Sequence, residues 1–279
     1  MHDNINGKKY QSNVDIYNSS DPRVMVIDYI SDGAIVLDVG CACGDLGVVL
    51  KEYRNATIYG LEYNQASVDI ALKTGAYEDV KQFNLDNLSI SDFSEYKNKF
   101  DYIVCGDVLE HLRNPLDVLN ILKSYLKNEG AIIASIPNVA HMSIKSNLLL
   151  NDFTYTPVGL LDETHIHLFT YKSIAEGVSS IELKIDNCKF SMHNKNAWQP
   201  NDPYPFLSDE IKKELFTDWH SYVCQYVVKM SVVSEKFENI VTYNLSALNI
   251  NELNAPNYIK EYRKHLLDEI NSDKIIKFN

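Results

Sequence analysis

Between residues 24 and 136, short apolar runs alternate with segments in which apolar residues recur at helical spacing. Strands that alternate with helices are joined by crossovers, which produce a parallel sheet covered on both faces. The pattern predicts an α/β fold with a doubly wound, mostly parallel seven-stranded sheet. The predicted strands are Ala34–Val39, Thr57–Glu62, Val80–Asn84, Phe100–Asp107, Ala131–Ile136, Ile181–Phe190 and Tyr222–Val233. The predicted helices are Val24–Ile30, Leu46–Tyr53, Gln65–Thr74, Pro115–Leu126 and Tyr171–Ser180.

The first predicted strand runs into VLDVGCACG, a turn of glycines and small residues at Val36–Gly44. An acid, Glu62, ends the next strand, and this combination is typical of a nucleotide-type cofactor site. As a dinucleotide fingerprint the turn fails twice, because Ala42 replaces the second glycine and Asp45 replaces the third. A carboxylate at the start of the following helix would repel a pyrophosphate. The turn therefore predicts a nucleotide-type cofactor that lacks a pyrophosphate.

Composition excludes several classes of partner. The net charge of −12 argues against a nucleic-acid or anionic-membrane partner, which would require a basic surface. No apolar run approaches the roughly 18 residues that a membrane-spanning helix needs, and the polar start MHDNINGKKY is unlike a signal peptide. The five cysteines are scattered and odd in number, which favours reduced thiols and a cytoplasmic location.

The alternation of strands and helices breaks after the fifth predicted strand. The segment 138–169 is long for a plain loop and rich in polar and aromatic residues, which predicts a substrate-binding insertion. The segment 191–221 is rich in proline and aromatic residues and is predicted to be a cap or lid. One domain is expected over 1–234, followed by a C-terminal extension, 235–279, with a helix near Tyr258–Ile270 that docks on the body or mediates a homodimer. The aromatic residues of the predicted lid are Trp198, Tyr204 and Phe206.

Four motifs, taken in order, resemble those of the class I S-adenosylmethionine-dependent methyltransferases. They are VLDVGCACG, the acid in YGLEYN, NLDNL and FDYIVCGDVLEHLRNP, and the resemblance covers about Val24–Phe190. It implies a Rossmann-like fold, S-adenosylmethionine as the cofactor and S-adenosylhomocysteine as the product. The later segments Ser135–Thr170 and YVCQYVVKM are similar to those of bacterial methyltransferases found with glycan and nucleotide-sugar enzymes. Their general shape also resembles the quinone-biosynthesis O-methyltransferases.

The cofactor carries an ammonium, a carboxylate and a sulfonium but no phosphate, so an acid close to the turn is acceptable. Asp38 is expected near its amino-acid end, and Glu62 is expected to accept hydrogen bonds from the ribose hydroxyls. The resemblance assigns Asp86 to the adenine amino group and the backbone of Cys105–Asp107 to the sulfonium end. The complete predicted cofactor set is Asp38, Gly40, Cys41, Ala42, Gly44, Glu62, Tyr63, Leu85, Asp86, Cys105, Gly106, Asp107 and His111.

Methyl transfer to a hydroxyl requires that the acceptor be aligned and its proton removed. Histidine titrates near neutral pH and is the natural base. The candidates are His111 after the fourth strand, His141 after the fifth and His165 in the insertion, with Asp162 as an orienting group. His111 is equally suited to form a wall of the cofactor pocket.

Two further interpretations concern metals and substrates. In an extended segment His165 and His167 share one face, where Asp107 or Asp162 would complete a three-ligand metal site. The prediction is nevertheless that no metal is bound.

The predicted function is O-methylation of a sugar, a nucleotide sugar or another small hydroxylated metabolite. The alternatives are N-methylation of an amino sugar or small amine, an NAD-dependent oxidoreductase, and a catalytically silent partner subunit.

Overall fold

Seven strands form one sheet in a computed structural model that describes residues 14–192 and 207–233, together with Ile240 and Asn244. The strand order is β3-β2-β1-β4-β5-β7-β6, and β7 runs antiparallel to both β5 and β6 while the other pairs are parallel. The predicted α/β, mostly parallel fold is thereby confirmed. The strands are β1 Ile35–Val39, β2 Thr57–Glu62, β3 Tyr77–Gln82, β4 Phe100–Gly106, β5 Leu126–Pro137, β6 Leu183–Ser191 and β7 Gln225–Val232.

Helices cover both faces of this sheet because its central strands are apolar on both sides. In β4, Ile103 and Cys105 belong to the core on one face, while Val104 belongs to the core on the other. Helices α4 and α6 pack on the first face, and α1, α2 and α3 pack on the second. The helices are α1 Pro22–Ile27, α2 Asp45–Arg54, α3 Gln65–Lys73, α4 Pro115–Leu122, α5 Met142–Leu149, α6 Tyr171–Ser180 and α7 Asp209–Thr217.

The largest boundary error of the sequence prediction lies between α4 and β5. The helix predicted over Pro115–Leu126 ends at Leu122, and the polar residues 127–130 belong to β5. Leu126 pairs with Phe100 at the start of β4. Because this pairing extends β5 by several residues, tertiary contact overrides the polar character of the segment.

Strand β3 also begins earlier than predicted, at Tyr77 instead of Val80, and ends at Gln82. The Tyr77 side chain is buried against α2, where its ring carbons would lie 2.3 Å from a Cβ atom added to Gly47. The Tyr77 hydroxyl donates a 2.7 Å hydrogen bond to the carboxylate of Asp38, which is itself buried in β1. One tyrosine thus joins β1, β3 and α2.

The insertion and the C-terminal extension are both attached to the body. A parallel bridge joins Asn138 to Phe169 at the two ends of the insertion, and the buried Asn138 amide donates to the carbonyls of His220 and Val223. In the extension, the buried Asn244 accepts a hydrogen bond from the backbone N–H of Ile185. The extension therefore contacts the body at Asn244, whereas its predicted helix and its dimer role concern residues outside the described part.

The contact between Gly47 and Tyr77 predicts that Gly47→Ala destabilises the protein although alanine favours helices. The added methyl group collides with the Tyr77 ring, and overpacking of this kind costs about 1–3 kcal/mol. The matched control is Gly177→Ala in α6, whose Cβ would meet only the flexible end of Leu116 at 3.2 Å. Urea unfolding of both variants measures the free energies; equal effects at the two positions would refute the packing argument.

Asp38 predicts a pH dependence of stability. Burial raises the pKa of its carboxyl to about 6 from an ordinary 3.8, so the folded state binds the proton more tightly than the unfolded state does. The free energy of unfolding therefore falls as pH rises through roughly 4 to 6. Asp38→Asn cannot ionise, yet its oxygen still accepts from Tyr77, and it should stabilise the protein at pH 8 by about 2–3 kcal/mol.

Urea unfolding at pH 8 and pH 5 checks this prediction, because the advantage of Asp38→Asn should shrink at the lower pH. The exposed Asp69 on α3 provides the control, since Asp69→Asn removes a carboxylate that water already solvates. An advantage that is the same at both pH values would exclude titration of Asp38 as its cause.

Candidate active site

The carboxyl ends of β1, β2 and β4 meet at one edge of the sheet, because β1 pairs with β2 on one side and with β4 on the other. The chain order reverses here, with β2 and β3 to one side and β4 and β5 to the other. Open α/β sheets bind ligands in the crevice outside such a switch point. The residues predicted to bind the cofactor lie at or just after the carboxyl ends of these strands or of β3, so the fold brings them to one region.

The glycine turn after β1 has a backbone that few residue types can adopt. Gly40, Ala42 and Gly44 all have positive φ, at 71°, 46° and 88°. A Cβ added to Gly40 would lie 2.5 Å from a methyl carbon of Val108, in the segment after β4. Gly40 is thus required both by its conformation and by the close approach of Val108.

Glu62, at the end of β2, holds this turn in place. Its two carboxylate oxygens accept backbone hydrogen bonds from Ala42 at 3.0 Å and from Asn64 at 2.8 Å. Each oxygen has a second lone pair with which to meet a ligand hydroxyl. The side chain of the neighbouring Tyr63 is 61% exposed.

Asp86 lies in a short 3-10 helix, Leu85–Asn87, that follows β3. Its carboxylate accepts a 2.8 Å hydrogen bond from the backbone N–H of Arg113 and lies 3.8 Å from the Arg113 guanidinium. The predicted adenine ligand is therefore linked to the segment that follows β4. Leu85 is buried beside it.

Asp107 directly follows β4 and has a positive φ of 52°, an uncommon conformation for a residue other than glycine. Its backbone N–H donates to the hydroxyl of Ser135, and its carboxylate accepts from Ser135 and Gln225. Loss of water around the carboxylate raises the pKa of Asp107 to about 6 despite these bonds. Cys105, two residues earlier, is fully buried, and burial raises the pKa of its thiol.

Arg23 in α1 is a functional candidate that the sequence analysis missed. Its guanidinium binds both carboxylate oxygens of Asp21, at 3.0 Å and 2.6 Å. The hydrogen bond to Asp21, and after it the charges of Asp45 and Asp107, raise the pKa of Arg23. The cation of Arg23 is therefore within electrostatic range of Asp45 at the start of α2 and of Asp107 after β4; the PR dipeptide at the start of a helix was the only signal in the sequence.

The insertion folds back onto the residues after β4. The backbone carbonyl of Glu110 accepts hydrogen bonds from the N–H groups of Ile166 and His167, at 2.9 Å and 3.0 Å. The Nδ1 atom of His111 lies 3.1 Å from the carbonyl oxygen of Thr164. These contacts bring His165 next to His111, with their ring centroids 4.9 Å apart.

A buried carboxylate accompanies the two imidazoles. Glu110 is 1% exposed, and neither of its carboxylate oxygens has a hydrogen-bond partner among the described residues. The Nε2 atom of His165 lies 3.9 Å from Glu110 Oε1. Burial, and after it the charge of Asp107, raise the pKa of Glu110 well above its ordinary value.

The grouping of potential metal ligands differs from the grouping considered from the sequence. Nitrogen or oxygen atoms of Glu110, His111 and His165 lie within 4.8 Å of one another, the one such group in the described part of the chain. His167 is directed elsewhere, since its Nε2 lies 3.1 Å from the carbonyl oxygen of Arg113. Because Glu110 meets His165 only through the folded insertion, sequence spacing could not identify the trio.

His141 and Asp162 both serve local structure. His141 is buried at the N-cap of α5, where its Nδ1 accepts from the backbone N–H of Ser143. Asp162 accepts hydrogen bonds from the backbone N–H and the hydroxyl of Thr164. Asp162 thus shapes the turn whose Thr164 carbonyl contacts His111, and the catalytic role of His141 stays a prediction.

The predictions on the lid and on membrane-spanning helices both depend on which residues the structure describes. The aromatic lid residues Trp198, Tyr204 and Phe206 lie outside them, so the lid stays a prediction. Within the described ranges, no helix combines the length and apolar character that crossing a membrane would require.

Comparison with known proteins gives the family. Residues 30–201 match the model of a family described as a methyltransferase domain. A ubiquinone biosynthesis O-methyltransferase of Actinobacillus pleuropneumoniae is 30% identical over 122 residues, covering 40% of this chain and 52% of that protein. A mitochondrial protein of the same name from Dictyostelium discoideum is 27% identical over 139 residues, covering 46% and 43%. The chain thus spans about half the length of these curated relatives.

Solved structures agree on the fold. An S-adenosylmethionine-dependent methyltransferase from Archaeoglobus fulgidus is similar with a TM-score of 0.53 at 16% identity, covering 75% of this chain and 93% of that one. The MccD protein is similar with a TM-score of 0.50 at 16% identity, covering 76% and 96%. At this identity the likeness concerns the fold alone. The family match over most of the sheet supports the expected cofactor, S-adenosylmethionine, and the chain belongs to the methyltransferase-domain family.

Proposed function

We propose that this protein transfers the methyl group of S-adenosylmethionine to a hydroxyl oxygen of a small acceptor. The observation that carries the proposal is the pair His111 and His165 beside the cofactor crevice, at the end of β4. The names of the curated relatives, which are O-methyltransferases, support oxygen as the accepting atom. A sugar or nucleotide sugar is the acceptor class that we favour, on the resemblance of the late segments to methyltransferases of glycan pathways.

Under this proposal, residues around the crevice would bind each part of the cofactor. Glu62 would accept hydrogen bonds from the ribose hydroxyls with the lone pairs that Ala42 and Asn64 leave available. Asp86 would accept from the adenine amino group. The cation of Arg23 would attract the carboxylate at the amino-acid end of the cofactor. The backbone at the end of β4 would lie against the sulfonium.

The chemistry divides between the cofactor and the protein. When bound, the cofactor would supply an electrophilic methyl group for the acceptor oxygen and a sulfur leaving group that keeps the bonding pair. The acceptor proton passes to an imidazole. His111 and His165 both contact backbone carbonyls through Nδ1, those of Thr164 and Leu160 at 3.1 Å. A carbonyl oxygen can only accept a hydrogen bond, so Nδ1 would carry the hydrogen and Nε2 would have the lone pair of a base.

The first test concerns the cofactor. Calorimetry should show binding of S-adenosylhomocysteine and much weaker binding of NAD, because Asp45 at the start of α2 repels a pyrophosphate. Glu62→Gln should weaken S-adenosylhomocysteine by about tenfold or more, since an amide group replaces an acceptor of charge-assisted hydrogen bonds. Glu52→Gln, at an exposed position on α2, is the control. Tight NAD binding without S-adenosylhomocysteine binding would favour the oxidoreductase alternative.

The second test concerns the base. Acceptors bearing hydroxyl or amino groups are screened for release of S-adenosylhomocysteine, which also separates O-transfer from N-transfer. With the best acceptor, His165→Ala should lower the rate by roughly 10²–10⁴-fold while S-adenosylhomocysteine still binds. His111→Ala should weaken cofactor binding as well, because His111 adjoins the end of β4.

Two further variants complete this comparison. His141→Ala tests the remaining candidate: loss of the rate with cofactor binding intact would assign it the base role. His167→Ala should leave the rate near that of the wild type, because its Nε2 is engaged by the Arg113 carbonyl. Full activity of the His111, His141 and His165 variants would mean that alignment of the acceptor alone is sufficient.

A further inference from the structure

We propose that Glu110, His111 and His165 form a binding site for one divalent transition-metal ion at the end of β4. Their potential ligand atoms all lie within 4.8 Å of one another. Two come from the short 3-10 helix Leu109–His111, and the third comes from the insertion that folds over it.

The carboxylate of Glu110 is the strongest evidence for a cation. It is 1% exposed, and the described residues offer no hydrogen-bond partner to either oxygen. A buried carboxylate in that situation is costly unless a cation or donors compensate it. No lysine or arginine forms an ion pair with it in the described part of the chain; the imidazole of His165, at 3.9 Å, is the partner observed.

The two imidazoles are oriented as metal-binding histidines usually are. The Nδ1 atoms of His111 and His165 lie 3.1 Å from the carbonyl oxygens of Thr164 and Leu160. Metal-binding histidines commonly donate one ring N–H to a backbone carbonyl, which fixes the ring and leaves the other nitrogen for the ion. His165 Nε2 and Glu110 Oε1 are 3.9 Å apart. A small side-chain rotation would therefore allow both atoms to bind one ion, with metal–ligand distances of about 2.0–2.2 Å.

The site is preorganised by the backbone. The Glu110 carbonyl accepts hydrogen bonds from the N–H groups of both Ile166 and His167, so the two residues that follow His165 are fastened to the segment that supplies the other two ligands. Preorganisation of this kind lowers the cost of assembling a site on rigid elements.

The donor set selects the class of ion. Two nitrogen atoms and one carboxylate suit Zn²⁺, Mn²⁺, Fe²⁺ or Co²⁺, whereas Mg²⁺ prefers oxygen ligands alone and retains its water. Three protein ligands also leave coordination positions open. If methyl transfer occurs as proposed above, an acceptor hydroxyl would take one of them and lose its proton to water more readily, and His111 and His165 would act as ligands instead of bases.

The experiment uses the whole chain, dialysed against EDTA and then freed of it. Zn²⁺, Mn²⁺ and Mg²⁺ are titrated separately by calorimetry, and bound metal is counted after equilibrium dialysis. We expect one Zn²⁺ or Mn²⁺ per chain, at least about 100-fold weaker binding of Mg²⁺, and a higher melting temperature with the bound ion.

Glu110→Gln and His165→Gln should each weaken binding by at least about 100-fold, more than the loss of an outer hydrogen bond to a ligand does. Without metal, Glu110→Gln should melt no lower than wild type, because it removes a buried charge at constant volume. The controls are Glu163→Gln, at an exposed acid in the insertion, and His167→Gln; both should bind metal as the wild type does.

Absence of a stoichiometric site in the wild type, or equal binding by Glu110→Gln, would overturn the proposal. If Glu110→Gln does not fold, His165→Gln decides by the same criterion. Binding of S-adenosylhomocysteine is measured on the metal-free protein in parallel. Failure of the metal site therefore leaves the proposed methyl transfer standing, and failure to bind the cofactor leaves the metal test valid.

Discussion

The carboxylate of Glu62 ties the end of β2 to the turn after β1, and the cofactor half of the crevice depends on this tie. The turn has three residues in the left-handed region, two of them glycines. Without a fixed partner, its backbone would have access to many conformations. Glu62 accepts hydrogen bonds from the backbone N–H groups of Ala42 and Asn64, and these bonds fix the turn at the switch point of the sheet. An acid there stabilises the turn, and under the proposed function the same carboxylate would also accept hydrogen bonds from the ribose.

Much of the fold could be predicted from the sequence because the signals are local. Apolar runs of strand length and the glycines between them located β1, β2 and β4 to within a residue or so. The failures are at positions decided by distant partners. Leu126 extends β5 because Phe100 lies opposite it, and β3 begins at Tyr77 because that side chain packs on Gly47 and bonds to Asp38.

The site residues also divide into those that local sequence signals identify and those that depend on distant partners. The cofactor residues follow consecutive strand ends, so an ordered set of motifs was enough to nominate them. Arg23 was missed because its relevance comes from the charges of Asp45 and Asp107, which lie far away in the sequence. The histidines were nominated, but their grouping with Glu110 depends on hydrogen bonds made by the folded insertion. A charged residue within an apolar stretch, as Glu110 is in VLEHL, was the available signal.

The position of β7 also determines when the protein can finish folding during synthesis. The last strand along the chain lies between β5 and β6, and β6 pairs with β7 alone in the described sheet. Residues up to Val232 must therefore have left the ribosome before β7 can pair with β5 and β6 and complete the sheet. Until then the edge of β5 and the whole of β6 present unpaired backbone groups, which are the features that promote aggregation. The nascent chain can complete its cofactor crevice well before it can protect this edge.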